Sequence, residues 1–182
     1  GKPESFKHAD ALHVVAKEAG FQSWPRLKFA AEMQAMDRAA RAERLKIALY
    51  LGQDWIVDAL LAAEPDLGSE NFARQCALYD VEAVRGVLEQ DPAAATRAVG
   101  VRSPILHLAY SKHFRAEPDR AGAMIAVADA LLAAGADVNA ANAGGATALM
   151  FAALSGDPMV TSLLVRAGAR TDSKAKLGWT AL

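Results

Sequence analysis

The sequence predicts an all-α array of short helix pairs joined by tight turns. Three observations carry this. The C-terminal part repeats on itself: shifted by 33 residues, Leu131 falls on Leu164, Gly135 on Gly168, Ala136 on Ala169, Asn139 on Asp172, Gly145 on Gly178, Thr147 on Thr180 and Leu149 on Leu182. A fixed period of this size marks units that each bury one face against the next. Apolar residues recur in short runs at helical spacing. The 13 Gly and 7 Pro fall mainly between those runs, and alanine, which lets helices approach closely, supplies much of the 53% apolar content.

In chain order, Leu12, Val15, Ala16 and Ala19 share one face of a predicted helix over 6–19, and Gly20 ends it. Ser23 is placed to cap a second helix, with Pro25 in the first turn where a missing N–H costs nothing, running to about Met36. Residues 38–65 predict a further pair. Ala42, Leu45, Ala48 and Leu49 lie on one face of its first helix, Gly52 turns the chain, and Trp55, Ile56, Val57, Leu60 and Leu61 belong to its second. Residues 71–92 repeat that form. Leu60–Pro65 and Val87–Pro92 superpose on a shift of 27, so a Pro rather than a Gly ends each second helix. Past the later helices, Gly135 and Gly168 stand where a left-handed residue is needed. Thr147 is placed to cap a helix, and Asn142-Ala143-Gly144-Gly145 offers a tight turn.

Thr147-Ala148-Leu149-Met150-Phe151-Ala152 and Leu131-Leu132-Ala133-Ala134-Gly135-Ala136-Asp137-Val138-Asn139 together resemble the start and end of the ankyrin repeat, T-P-L-H-x-A and L-L-x-x-G-A-D-V-N. Pro104-Ile105-Leu106-His107-Leu108-Ala109 matches the start again, without the Thr. Asp80-Val81-Glu82-Ala83-Val84 resembles the G-D-x-E-x-V junction with Asp in the Gly position, and Cys76 falls in the small-residue position of Ala152. Ala16, Glu18, Gly20, Phe21, Ser23, Trp24 and Leu27 resemble a leader found in bacterial ankyrin-repeat proteins, with Lys17 for its usual Arg. The resemblance implies an ankyrin-repeat solenoid of stacked helix-turn-helix pairs. A helical cap over 1–37 precedes an array over 38–182, degenerate to about 97, better formed over 98–182, with the last repeat truncated. About four pairs and the start of a fifth follow the cap. Trp24 and Phe21 are expected to pack where the cap meets the first repeat.

The spacing from Leu106 to Leu149 is 43, ten beyond the period, so extra residues lie between Tyr110 and Met124. They carry His113, Phe114 and Arg115. Two readings stand: a bulge without function, or a projection that contacts a partner, since binding residues concentrate on loops held by a rigid scaffold.

Net charge is −1, so no bulk field favours nucleic acid or membrane. Its distribution is uneven: residues 51–160 carry seven Lys/Arg against fourteen Asp/Glu. A single cysteine, Cys76, forbids an intrachain disulfide and points to a reducing compartment; a buried, inert thiol is the reading. No signal sequence is visible and no apolar run is long enough to span a bilayer, so a cytoplasmic protein is expected. Catalysis needs convergent groups. His8 and His13 are five apart and do not form a metal pair, Cys76 has no local His, and Gly144-Gly145 is not followed by Lys-Ser or Lys-Thr. His107 is read as a structural hydrogen-bonding residue by the resemblance. No enzyme, cofactor or metal site is therefore expected.

The resemblance implies a non-enzymatic protein-protein interaction module, a monomer that binds a partner protein through its concave face and turn tips. The candidate contacts are Arg102, Ser103, His113, Phe114, Arg115, Asn142, Ala143, Gly144, Lys174 and Lys176. Two alternatives stand beside this. The helix-turn-helix-like segment over 7–38, with Lys17, Arg26 and Lys28, is placed to meet phosphates as a nucleic-acid-binding regulator. Otherwise the array is the repeat part of a larger enzyme.

Overall fold

A computed structural model of the chain describes residues 8–113 and 118–181. It forms two compact units, Gly1–Glu43 and Arg44–Leu182.

In the first unit, α1 (His8–Glu18) packs on α2 (Trp24–Ala35). Gly20 takes φ +81° and ends α1 as its position demands. Ala16 and Phe29 are buried, but Val15 and Ala19 are exposed, contrary to the expected apolar face. The face that α1 turns to α2 is therefore narrower than its apolar stripe. Ser23 occupies the N-cap with extended backbone, yet its side chain makes no capping bond. Phe21 and Trp24 are half-buried.

Helix α3 (Arg38–Leu51) begins in the first unit and ends in the second. The second unit continues with α4 (Asp54–Ala63), α5 (Asp66–Ser69), α6 (Phe72–Leu78), α7 (Val81–Gln90), a 3-10 turn at Pro92–Ala95, α8 (Pro104–Tyr110), α9 (Pro118–Ala133), α10 (Ala148–Ser155) and α11 (Pro158–Arg166). Helix α6 packs on α8 and α8 on α10; α7 packs on α9 and α9 on α11. The first helices thus form one layer and the second helices another, and each pair is closed by contacts between its own members. This is the all-α stack of helix-turn-helix pairs that the period predicts. Leu106, Leu108, Met124, Leu131, Leu149 and Leu164 lie in one core cluster with Cys76 and Ala152, the two residues that the repeat places in register. Full burial of such a leucine contributes about 1.5–3 kcal/mol.

The junctions follow from residue chemistry. Gly135 and Gly168 have φ +90° and +91°, the left-handed residue past each second helix. Gly156 does the same after α10 with φ +71°, and Asp157 then caps α11, its side chain accepting from the amides of Met159 and Val160. In the degenerate unit Tyr79 takes the left-handed place at φ 61°, and Asp80 caps α7 by accepting from Ala83 N. Asp80 therefore fills the Asp position of the junction, and Tyr79 the Gly position, one residue off the expected register. Thr147 caps α10 as predicted. Pro65 and Pro92 each stand just beyond the end of a second helix and open a further helical turn, α5 and the 3-10 turn. Helix α5 was not legible in the spacing.

The extra residues do not simply project. Their first part turns back into the unit. Lys112 N donates to Leu49 O at 2.9 Å, and Tyr79 OH donates to Ser111 O at 2.9 Å. His113 is only 5% exposed. The part from Pro118 onward belongs to α9, which runs to 16 residues. Phe114 and Arg115 lie outside the described residues.

Candidate functional site

The turn tips before the first helices are built by short polar networks. Isolated β-bridges close two of them, Val99 with Arg102 and Ala141 with Thr147. In the second, Asn142 Oδ1 accepts from the amides of Gly144 and Ala146, both at 2.9 Å. An Asn is needed because its amide both accepts these bonds and donates a third, from Nδ2 to Tyr110 OH at 2.8 Å. Lys176 N donates to Gly144 O at 2.8 Å, joining this tip to the next, where Lys174 and Lys176 are exposed. Asn139 adds a tie between successive repeats, accepting from Arg170 N at 2.8 Å.

The candidate residues therefore sort into two places. Arg102, Asn142, Ala143, Gly144, Lys174 and Lys176 fall on neighbouring tips. The Arg102 guanidinium lies 4.1 Å from the centre of the Tyr110 ring, whose hydroxyl holds Asn142. Ala143 and Gly144 are exposed and carry no chemistry beyond the turn itself. Ser103 is the N-cap of α8, but its Oγ is buried without a hydrogen-bond partner among the described residues. His113 does not join this group. Its Nδ1 lies 2.6 Å from Asp54 Oδ1 on α4, and Arg120 adds contacts of 3.5 Å to Asp54 and 3.6 Å to Asp58. The His113 ring is enclosed rather than exposed, held against Asp54 of α4.

His107 donates through Nε2 to Val99 O at 3.0 Å, holding the tip against its own helix, as the resemblance implies. Burial, opposed by that bond and aided by Arg102 and Lys46, holds its pKa below 6.5. Burial likewise lowers the pKa of His113, against the pull of Asp54. Cys76 is buried, and burial pushes its thiol up to about 12, so the thiolate needed for nucleophilic chemistry is not formed near neutral pH. Among the described residues no group of three or more His, Cys, Asp and Glu is placed to hold a metal ion. Among them, too, no helix is long and apolar enough to cross a membrane.

Sequence reasoning missed a cavity of about 710 Å³ in the second unit, between the end of α3, helix α6 and the Val99–Arg102 tip. Its walls include Ile47, Tyr50, Ala73, Val101 and Tyr110, with Lys46, Arg74 and Arg102 among them. A sign was present. The buried face of α3 is Leu45, Ala48 and Leu49, so Ile47 and Tyr50 are large apolar residues off the core face.

Residues 105–165, about a third of the chain, match the family model described as ankyrin repeats, many copies. The match runs from α8 to α11, the part with the best-formed junctions. No curated protein matches the chain.

Proposed function

We propose that this chain is a non-enzymatic protein-protein interaction module that binds a partner protein through its turn tips and the first-helix layer. The observation that carries this is the continuous row of tips. Arg102, Tyr110 and Asn142 are in contact, and the Asn142 tip is bonded to the Lys174–Lys176 tip. A row of half-buried and exposed side chains held by a stacked scaffold presents a surface without having to order it on binding. The matched family generally serves in protein interactions, which supports the same reading. The bacterial form of the leader and the single cysteine support a bacterial cytoplasmic protein, acting as a monomer.

The test begins with affinity capture from the native host, followed by reconstitution with the purified partner. Lys174→Glu combined with Lys176→Glu is expected to weaken that complex about tenfold or more, as loss and reversal of rim charges does when they face an acidic partner. Unaltered affinity in this variant, with its melting curve also unaltered, removes the tips from the interface.

A further inference from the structure

We propose that the cavity between α3, α6 and the Val99–Arg102 tip is a docking groove for an extended acidic peptide segment of a partner protein, one carrying an Asp or Glu beside a bulky apolar side chain. This deepens the function proposed above and rests on it.

Charge is the first argument. Lys46, Arg74 and Arg102 line the cavity, and no carboxylate does. This occurs inside the stretch 51–160, where acids outnumber bases fourteen to seven, so Arg74 and Arg102 converge here against the local composition. Arg74 is already bonded to Glu70 and to Leu67 O, so its charge is largely spent. Arg102 is different. It stacks on Tyr110, and among the described residues it has no carboxylate partner. A guanidinium held over a ring has less freedom to turn, which suits a carboxylate that arrives from outside.

The apolar lining is the second argument. Tyr50 and Tyr110 stand with ring centres 5.6 Å apart, and Tyr110 leans on Phe151 at 3.7 Å. The rim of the cavity is open to water: Val101 is 81% exposed, and Ile47 and Tyr50, which line it too, are exposed. An aromatic floor with an apolar rim open to water is suited to a ligand that runs out over the edge. A chain with alternating acidic and apolar side chains does so, whereas a small carboxylate would fill the floor and leave the rim wet.

The test pans a random peptide library displayed on phage against the full chain and measures synthetic versions of the selected peptides by fluorescence anisotropy. The expected result is enrichment of Asp or Glu next to Trp, Phe, Leu or Ile. Replacing that acid by Asn or Gln, or Arg102 by Glu, then weakens binding about tenfold or more, the loss typical of a charge-assisted hydrogen bond. Should Arg102→Glu melt early, Ile47→Asp, on the exposed rim, serves as the second variant and is expected to give the same loss. The proposal is overturned if no peptide is enriched, if selected peptides lack acids, or if their binding ignores both groove variants. It is also overturned if indole-3-acetate or a single-stranded thymidine oligonucleotide binds the groove as tightly as the peptides. Each of these outcomes leaves the module reading standing or falling on the reconstituted partner complex, which is measured separately.

Discussion

Glycine and histidine each make a testable demand at the scale of the residue. Gly135 and Gly145 both have positive φ, +90° and +79°, but their surroundings differ. A Cβ on Gly135 would meet open space, while one on Gly145 would stand 3.3 Å from Ala175 Cα, a backbone atom of the adjoining tip. Gly135→Ala is expected to cost about 1–2 kcal/mol, the left-handed penalty alone. Gly145→Ala is expected to cost more, since the tip must also shift; urea denaturation of the two variants checks the order. The histidines set a pH dependence. Both His107 and His113 are held below 6.5 by burial, so the unfolded chain takes up protons that the folded chain refuses. Their contribution is complete above 6.5 and is lost as pH falls from there through the lower folded values. Urea midpoints should therefore fall between pH about 7 and about 5, and His107→Gln should flatten that slope. An unaltered slope would mean that His107 titrates alike in both states.

Caps and junctions decide matters at the scale of the element. Asp157 accepts from two amides of α11 through Oδ1, while its buried Oδ2 has no partner among the described residues. Asp157→Ala should cost about 1–2 kcal/mol, and Asp157→Asn, which keeps the accepting oxygen, should restore most of it. Thermal melts of the two variants distinguish capping from charge. The helix pairs after residue 98 were legible because their signals are local: Gly135 and Gly168 lie where a left-handed residue must, and Thr147 where a cap must. The Tyr79 junction was misread by one residue because a tyrosine at φ 61° gives no signal in sequence. Its place is held by distant groups, the buried ring and the bond to Ser111 O. The groove was missed for the same reason. Tyr50 is far in sequence from Arg102 and Tyr110, and only packing sets its ring against that of Tyr110.

For the whole molecule, the period predicted units that touch only their neighbours, and the insertion breaks that rule. Ser111–His113 follows α8, yet it bonds to Leu49 on α3 and to Asp54 on α4, reaching past the α6–α7 pair. A double-mutant cycle on Asp54→Asn and His113→Asn should show coupling of about 0.5–3 kcal/mol by urea unfolding, and additive losses would show that the bridge is idle. In an ordinary array, stability is close to a sum over units and their immediate interfaces. Here one term ties the first pair to the third. That makes the α8–α9 segment a part cut for a single slot. Grafted into another array, or copied in tandem within this one, it would find no Leu49 carbonyl and no Asp54 at the right remove. The α10 and α11 helices pack on their immediate neighbours α8 and α9, so lengthening by duplication would be tolerated there first.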